Sequence, residues 1–329
     1  MLQISHLNVL IAIIIGFLVV YGATPKFAQR LKERNLTAVD MHKPSSPMIP
    51  SMGGLVIVTG YLAGVLWSLV AFPSFFTELA GVMSTMLMIS MLGMIDDILQ
   101  LRHGIKVLLP IVASLPLVII VGADRVIMLP FVGLVKVGVF YPLLLVPIGI
   151  VASANLTNML AGFNGLETGM GLIAVTCLSI SAFLTNNLKG MIVLACMIGP
   201  LLAFLSYNRY PSRIFPGNSG TYAIGAVIAA GVIVGDMEVL GIICLIPYIA
   251  EFFIKARTLF KGQCFGLVNE DGTLSAPSSL PESLTHVMMG LGRFSEPKLV
   301  KIFYLMEAVF GGIAILVAYL SIYYILIPS

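Results

Sequence analysis

Apolar runs long enough to cross a bilayer follow one another through almost the whole of this chain, broken only by short polar stretches. A helix needs about 20 apolar residues to span the hydrocarbon, and in lipid every backbone N–H and C=O must be satisfied within the element. The runs lack the period-two alternation of a barrel strand, so they fold as helices. Only 10% of the residues are charged and 59% are hydrophobic, whereas a soluble domain carries about 25% charged residues. The fold expected is an all-α polytopic membrane protein, with residues 1–329 forming a single integral membrane domain.

Ten spans are expected, at about 4–22, 51–72, 77–95, 106–122, 138–156, 167–186, 189–207, 218–235, 238–257 and 301–327. The first lacks a basic flank before it and a cleavage site after it, so it reads as a retained span and not as a signal peptide. Cys177, Cys196 and Cys244 lie in spans and Cys264 in a loop; their spacing suggests neither a disulfide framework nor a zinc site, and they read as packing residues. With these spans the loops alternate sides. One set holds fifteen of the 18 lysines and arginines, the other only Arg125, Lys136 and Lys189. By the positive-inside rule the rich set is cytoplasmic and both termini are extracytoplasmic.

Every unusual polar cluster then falls on the cytoplasmic side. Asp96 and Asp97 end a run that has carried no charge since Glu78, and Lys106 opens the next. Ionisable groups at a membrane boundary are expensive, so this pair with a basic partner is a candidate site; the plain alternative is two solvated loop carboxylates. Asn155 and Asn158, three apart, share a helix face and need either a neighbouring helix or a polar substrate as partner. Arg209 and Arg213 precede Phe215 and a Pro-Gly turn into a helix N-terminus, an anion-binding arrangement, although both arginines could simply set orientation. The entry Pro47-Met48-Ile49-Pro50 is held extended, and Gly53-Gly54 suits close helix packing. Arg125–Gly138 suggests a short outer hairpin around Pro130 and Gly133.

The loop 258–300 is too long for a plain connection, which usually marks function. Within it Asp271-Gly272 signals a hairpin, and Ser279–Met289 a capped, amphipathic interfacial helix. Glu251, four residues before Lys255, suggests a local helix pair and no more. A transporter would place its site near the midplane at broken, repeated helices. Here the midplane is bare, so an enzyme working at the inner surface is favoured over a transporter of anionic metabolites.

The blocks DDILQLRHGIKVLLPIVASLPL, NLTNMLAGFNGLETG and NRYPSRIFPGNSG make the chain resemble the polyprenyl-phosphate N-acetylhexosamine-1-phosphate transferase family, and most closely its dolichyl-phosphate members. The resemblance runs across nearly the whole chain. It implies transfer of GlcNAc-1-phosphate from UDP-GlcNAc to a polyprenyl phosphate, giving GlcNAc-diphospho-lipid and UMP, the first step of lipid-linked glycan assembly for N-glycosylation. It also implies Mg²⁺, with Mn²⁺ as a substitute, as cofactor. Another UDP-sugar or undecaprenyl phosphate is the nearest alternative. Carried over by position, Asp96, Asp97 and Lys106 are the catalytic group. Gln100, Asn155, Asn158, Asn164, Glu167, Arg209, Arg213, Phe215 and Lys261 bind substrate, with Asn164 near the uracil and Phe215 stacking on it. Asn218 stands where the family has a metal-ligating aspartate, so Asn218 and Asp97 are the implied metal ligands. The loop 258–300 would recognise the sugar, but its usual Arg-His-Arg patch is absent. Expected partners are the two substrates and membrane lipids, with no nucleic acid; a homodimer is left open. The location expected is a prokaryotic plasma membrane, or the ER membrane in a eukaryote, the chain showing no retention signal.

Overall fold

The computed structural model describes residues 2–43, 45–122, 125–129 and 133–326. The chain opens with α1 (Leu2–Glu33), the hairpin β1 (Thr37–Val39) and β2 (Met48–Pro50), then α2 (Gly54–Ala71) and α3 (Phe76–Leu99). Two short helices follow, α4 (His103–Ala113) and α5 (Leu115–Ile120), then the hairpin β3 (Val126–Leu129) and β4 (Gly133–Lys136). A π-helical turn at Tyr141–Leu145 leads into α6 (Val146–Met159), α7 (Leu166–Leu184), α8 (Leu188–Asn208) and α9 (Gly217–Val234). Next come α10 (Glu238–Cys244), α11 (Ile246–Ala256), the hairpin β5 (Leu267–Val268) and β6 (Leu274–Ser275), α12 (Leu284–Leu291) and α13 (Glu296–Leu326).

Among the described residues eight helices are long and apolar enough to cross a membrane. The expected ninth span, 238–257, is broken: α10 and α11 meet at 63°. Pro247 explains the break, since it cannot donate to the helix ladder and its ring clashes with the preceding turn. The expected span 106–122 is likewise two pieces, α4 and α5, with Pro116 just after the break. The outer hairpin forms as expected, but Pro130 lies outside the described residues. The helix expected over 279–289 starts only at Leu284, where the Ser283 hydroxyl caps it, and it buries Leu284, His286 and Met289 against the protein.

The centre of the bundle is α9, whose residues Ser219 to Val234 are all buried. Its sequence GNSGTYAIGAVIAAGVIV is rich in glycine and alanine, and small residues let helix backbones approach closely in lipid. Helices α2, α3, α6 and α8 all pack on it. A Cβ on Gly54 would lie 2.0 Å from the Gly220 nitrogen, and one on Gly93 would lie 2.5 Å from the Asn218 carbonyl oxygen. The second contact brings the end of α3, with its two aspartates, onto the N-terminus of α9.

Candidate active site

Four segments converge where α3 ends. Asp96 is 1% exposed. Its Oδ2 lies 2.7 Å from Lys106 Nζ and accepts from Asn218 Nδ2 at 2.9 Å and the Tyr222 hydroxyl at 3.5 Å. The other oxygen accepts the Leu101 N–H at 2.9 Å, closing the turn in which Gln100 takes φ 49°. Both oxygens of the side chain therefore act as acceptors. Asp97 does something different: its two oxygens accept the backbone N–H groups of Asn218 and Ser219, at 2.7 and 3.1 Å. It caps the N-terminus of α9 from another helix, satisfying donors that the helix itself cannot.

Beside this centre runs a groove of about 870 Å³ between α4, the 141–145 turn, α6 and α11. Its polar lining is Lys106, Asn155, Asn158, Tyr222 and Lys255, and the rest is apolar, including Ile111, Leu144, Ile148 and Phe253. Asn155 and Asn158 do share a face. Asn155 donates to the Lys106 carbonyl at 3.3 Å, and Asn158 accepts from the Thr221 hydroxyl at 2.8 Å. Asp96 itself stands behind Lys106 and Tyr222, which reach the groove.

The other expected residues are placed variously. Asn164 is buried, and its side chain is taken up by Asp40, Lys43 and the Ser212 N–H. One Glu167 oxygen accepts the Gly162 N–H at 2.7 Å and holds the turn into α7, while its Oε2 has no partner among the described residues. That turn passes through Gly165 at φ 84°, a conformation glycine adopts at no steric cost. Phe215 is half-buried, its backbone paired with Pro50 and Gly53. The side chains of Gln100, Arg209, Arg213 and Lys261 are exposed and do not line the groove. Glu251 needs a correction: besides Lys255 at 3.3 Å it accepts from the Ser283 hydroxyl and the Leu284 N–H, so it also anchors α12. A buried carboxylate gathers every donor in reach, which a local i,i+4 reading omits.

Two groups were missed. Tyr222, four residues after Asn218 and on its face of α9, was findable from that spacing. Asp40, His42, Lys43 and Glu296 were not, because they read as loop charges. One ligand atom each from Asp40, His42 and Glu296 lies within 4.8 Å of the others, but the Lys43 ammonium already pairs with both carboxylates. For a divalent ion the donors at α9 fit better. Asp97 keeps a second lone pair on each oxygen, and Asn218, having turned Nδ2 to Asp96, has no partner for Oδ1 among the described residues.

Residues 79–236 match the model of glycosyl transferase family 4. A Saccharolobus solfataricus protein, provisionally named UDP-N-acetylglucosamine–dolichyl-phosphate N-acetylglucosaminephosphotransferase, is 38% identical over 94% of this chain and 97% of its own length. The chain belongs to this family. A Dictyostelium discoideum member with the same name is 27% identical over 74% of this chain and 70% of its own. Phospho-N-acetylmuramoyl-pentapeptide-transferase of Rubrobacter xylanophilus is also 27% identical, over 91% of each chain. The family match spans Asp96, Lys106, the asparagine face of α6, the Arg209–Phe215 loop and all of α9, and ends before α11, which also lines the groove.

Proposed function

We propose that this protein transfers GlcNAc-1-phosphate from UDP-GlcNAc to a dolichyl-type polyprenyl phosphate, releasing UMP. The observation that carries this is the groove: a trough lined mostly by apolar side chains, with two lysines, two asparagines and a tyrosine among them. Such a lining takes a long hydrocarbon together with its phosphate. The relatives named for this reaction support the same substrates. The Rubrobacter phospho-N-acetylmuramoyl-pentapeptide-transferase is 27% identical against 38% for the Saccharolobus protein, which favours the dolichyl reading over the cell-wall one.

A phosphate monoester has a second pKa of about 6, so the acceptor is largely dianionic at pH 7. Its difficulty is approaching an anionic diphosphate. Lys106 lines the groove and, held by Asp96, neutralises the entering phosphate. Asn155 and Asn158 orient it by hydrogen bonds, and the acceptor oxygen attacks the sugar-side phosphorus in line with the departing UMP. Mg²⁺, held by Asp97 and Asn218 Oδ1, would supply charge neutralisation on the diphosphate. Arg209 and Arg213, exposed in the segment that leads into α9, would meet the nucleotide's phosphates.

In this reading α4–α5 and the bent α10–α11 complete ten spans, both termini lie outside, and the site faces the cytoplasm, where UDP-sugars are found. The charge asymmetry of the loops supports that orientation. The reaction is tested with purified protein, UDP-GlcNAc and dolichyl phosphate. UMP should be released only when the lipid phosphate is present. Lipid-independent release, or none with either undecaprenyl or dolichyl phosphate, would overturn the assignment.

A further inference from the structure

Asp40–Lys43, in the turn between β1 and β2, touches four distant segments: Phe163–Asn164, Tyr210, Gly266 and Glu296. The Lys43 ammonium lies 2.5 Å from Glu296 Oε2, 3.2 Å from Asp40 Oδ2 and 4.1 Å from the centre of the Tyr210 ring. The other Glu296 oxygen accepts the Asn164 N–H at 2.7 Å. The Asn164 carboxamide donates to Asp40 Oδ2 at 3.2 Å and accepts from the Ser212 N–H at 2.7 Å. His42 stacks on Phe163 with ring centres 4.3 Å apart and planes 8° from parallel, and its Nε2 accepts the Gly266 N–H at 3.1 Å. Asp40, His42 and Glu296 are each at most 5% exposed.

The pattern is directional. Gly266 lies near the start of the long loop and Glu296 at its end, so residues 40–43 grip both roots of that loop. They press it against the Phe163–Asn164 turn and the Tyr210–Ser212 segment. None of these residues lines the groove. Burial of two carboxylates around one ammonium, with further donors from the Asn164 carboxamide and the Asn164 and His42 N–H groups, makes the arrangement rigid and not merely attractive. The ammonium already neutralises the two carboxylates of this group, while His42 Nδ1 is buried without a partner among the described residues.

We propose that Asp40, His42, Lys43 and Glu296 form a clasp of positioning residues that holds the long loop in the conformation that binds the nucleotide-sugar donor. The inference rests on the reading of the site as a UDP-sugar transferase. It requires that loosening the clasp weaken donor binding and spare the chemistry. The acceptor should be little affected, because its groove is built mainly from α4, α6 and α11.

The test uses the whole protein in detergent. Lys43→Met should raise KM for UDP-GlcNAc about tenfold or more while kcat and the KM for dolichyl phosphate stay within about threefold, the signature of lost ground-state binding. Lys43→Arg should restore most of the donor affinity. In the same samples, amide exchange at Asn164, Ser212 and Gly266 should quicken about tenfold or more while α9 stays protected. Should Lys43→Met fail to fold, His42→Leu removes the grip on Gly266 without stranding a charge, and the same two readouts apply. Unchanged exchange at those amides in a folded variant would overturn the clasp. Faster exchange with an unchanged donor KM would overturn its role in donor binding. A wild-type protein inactive on UDP-GlcNAc would instead fault the proposed reaction, and the exchange data would still judge the clasp.

Discussion

At Asp96 one carboxylate oxygen draws together a lysine from α4 and an amide and a hydroxyl from α9, so the side chain organises the site without reaching the groove. Asp96→Asn replaces an acceptor with a group that must turn a donor toward donors, and Lys106→Ala removes the cation that meets the phosphate. Each should lower turnover at least about a hundredfold, the scale of losing a preorganised charged group; initial rates at saturating substrates check this. Asn218 invites the opposite experiment. Restoring a carboxylate with Asn218→Asp should lower the Mg²⁺ concentration for half-maximal rate, and an unchanged midpoint in a folded variant would remove Asn218 from the metal site. His42 gives a pH dependence. Burial, with Lys43 adding and Asp40 opposing, lowers its pKa to about 4. The folded pKa lies below the unfolded one, so the unfolded chain binds the extra proton. Stability is therefore full above about pH 6.5 and lost as pH falls toward 4, by about 3 kcal/mol in all. Thermal unfolding across that range should be less acid-sensitive in His42→Gln.

Among the elements, α9 carries the design. The N–H groups of its second and third residues are satisfied by Asp97, and its sides are small enough for α2, α3 and α6 to close on it. The contact with α2 is the tightest, because a Cβ on Gly54 would sit 2.0 Å from a backbone nitrogen. Backbone cannot give way as a flexible side chain can. Gly54→Ala should therefore push the two helices apart, cost at least about 1–3 kcal/mol, and displace Asn218 from Asp96. A lower melting temperature together with lost activity checks this; a melting temperature within a degree of wild type would show that the helices can slide.

The whole molecule gathers its polar machinery at one end of the bundle: residues 40–43, 96–106, 155–167, 208–218 and 251–296 all meet there. Orientation follows for all of it at once. Cys264 is buried against Lys255 and the Met159 carbonyl, and burial pushes its thiol pKa up, so it is a poor reporter. Ser279 is exposed in the long loop. Ser279→Cys in a Cys264→Ser background should be labelled by an impermeant maleimide in inverted vesicles and not in intact cells. Labelling in intact cells would reverse the orientation.

The helical membrane class, the two hairpins at 126–136 and 267–275 and the Asp96, Asn155 and Asn158 cluster were legible because each rests on local order: run length, a turn signal, or a spacing of one to three residues. The breaks near Pro116 and Pro247 were not anticipated, since 106–122 and 238–257 read as whole spans and a proline does not say by itself whether a helix bends or ends. Other features needed the fold. Asp97 looks like the twin of Asp96 in sequence, yet one caps a helix and the other holds a lysine, because they leave α3 in different directions. Lys43 reads as an orientation charge until Asn164 and Glu296, 121 and 253 residues away, are brought to its ammonium. Spacing along the chain reports only neighbours on one element. Which distant charge neutralises which is decided by packing, since a buried ion must find a partner wherever the helices happen to place one.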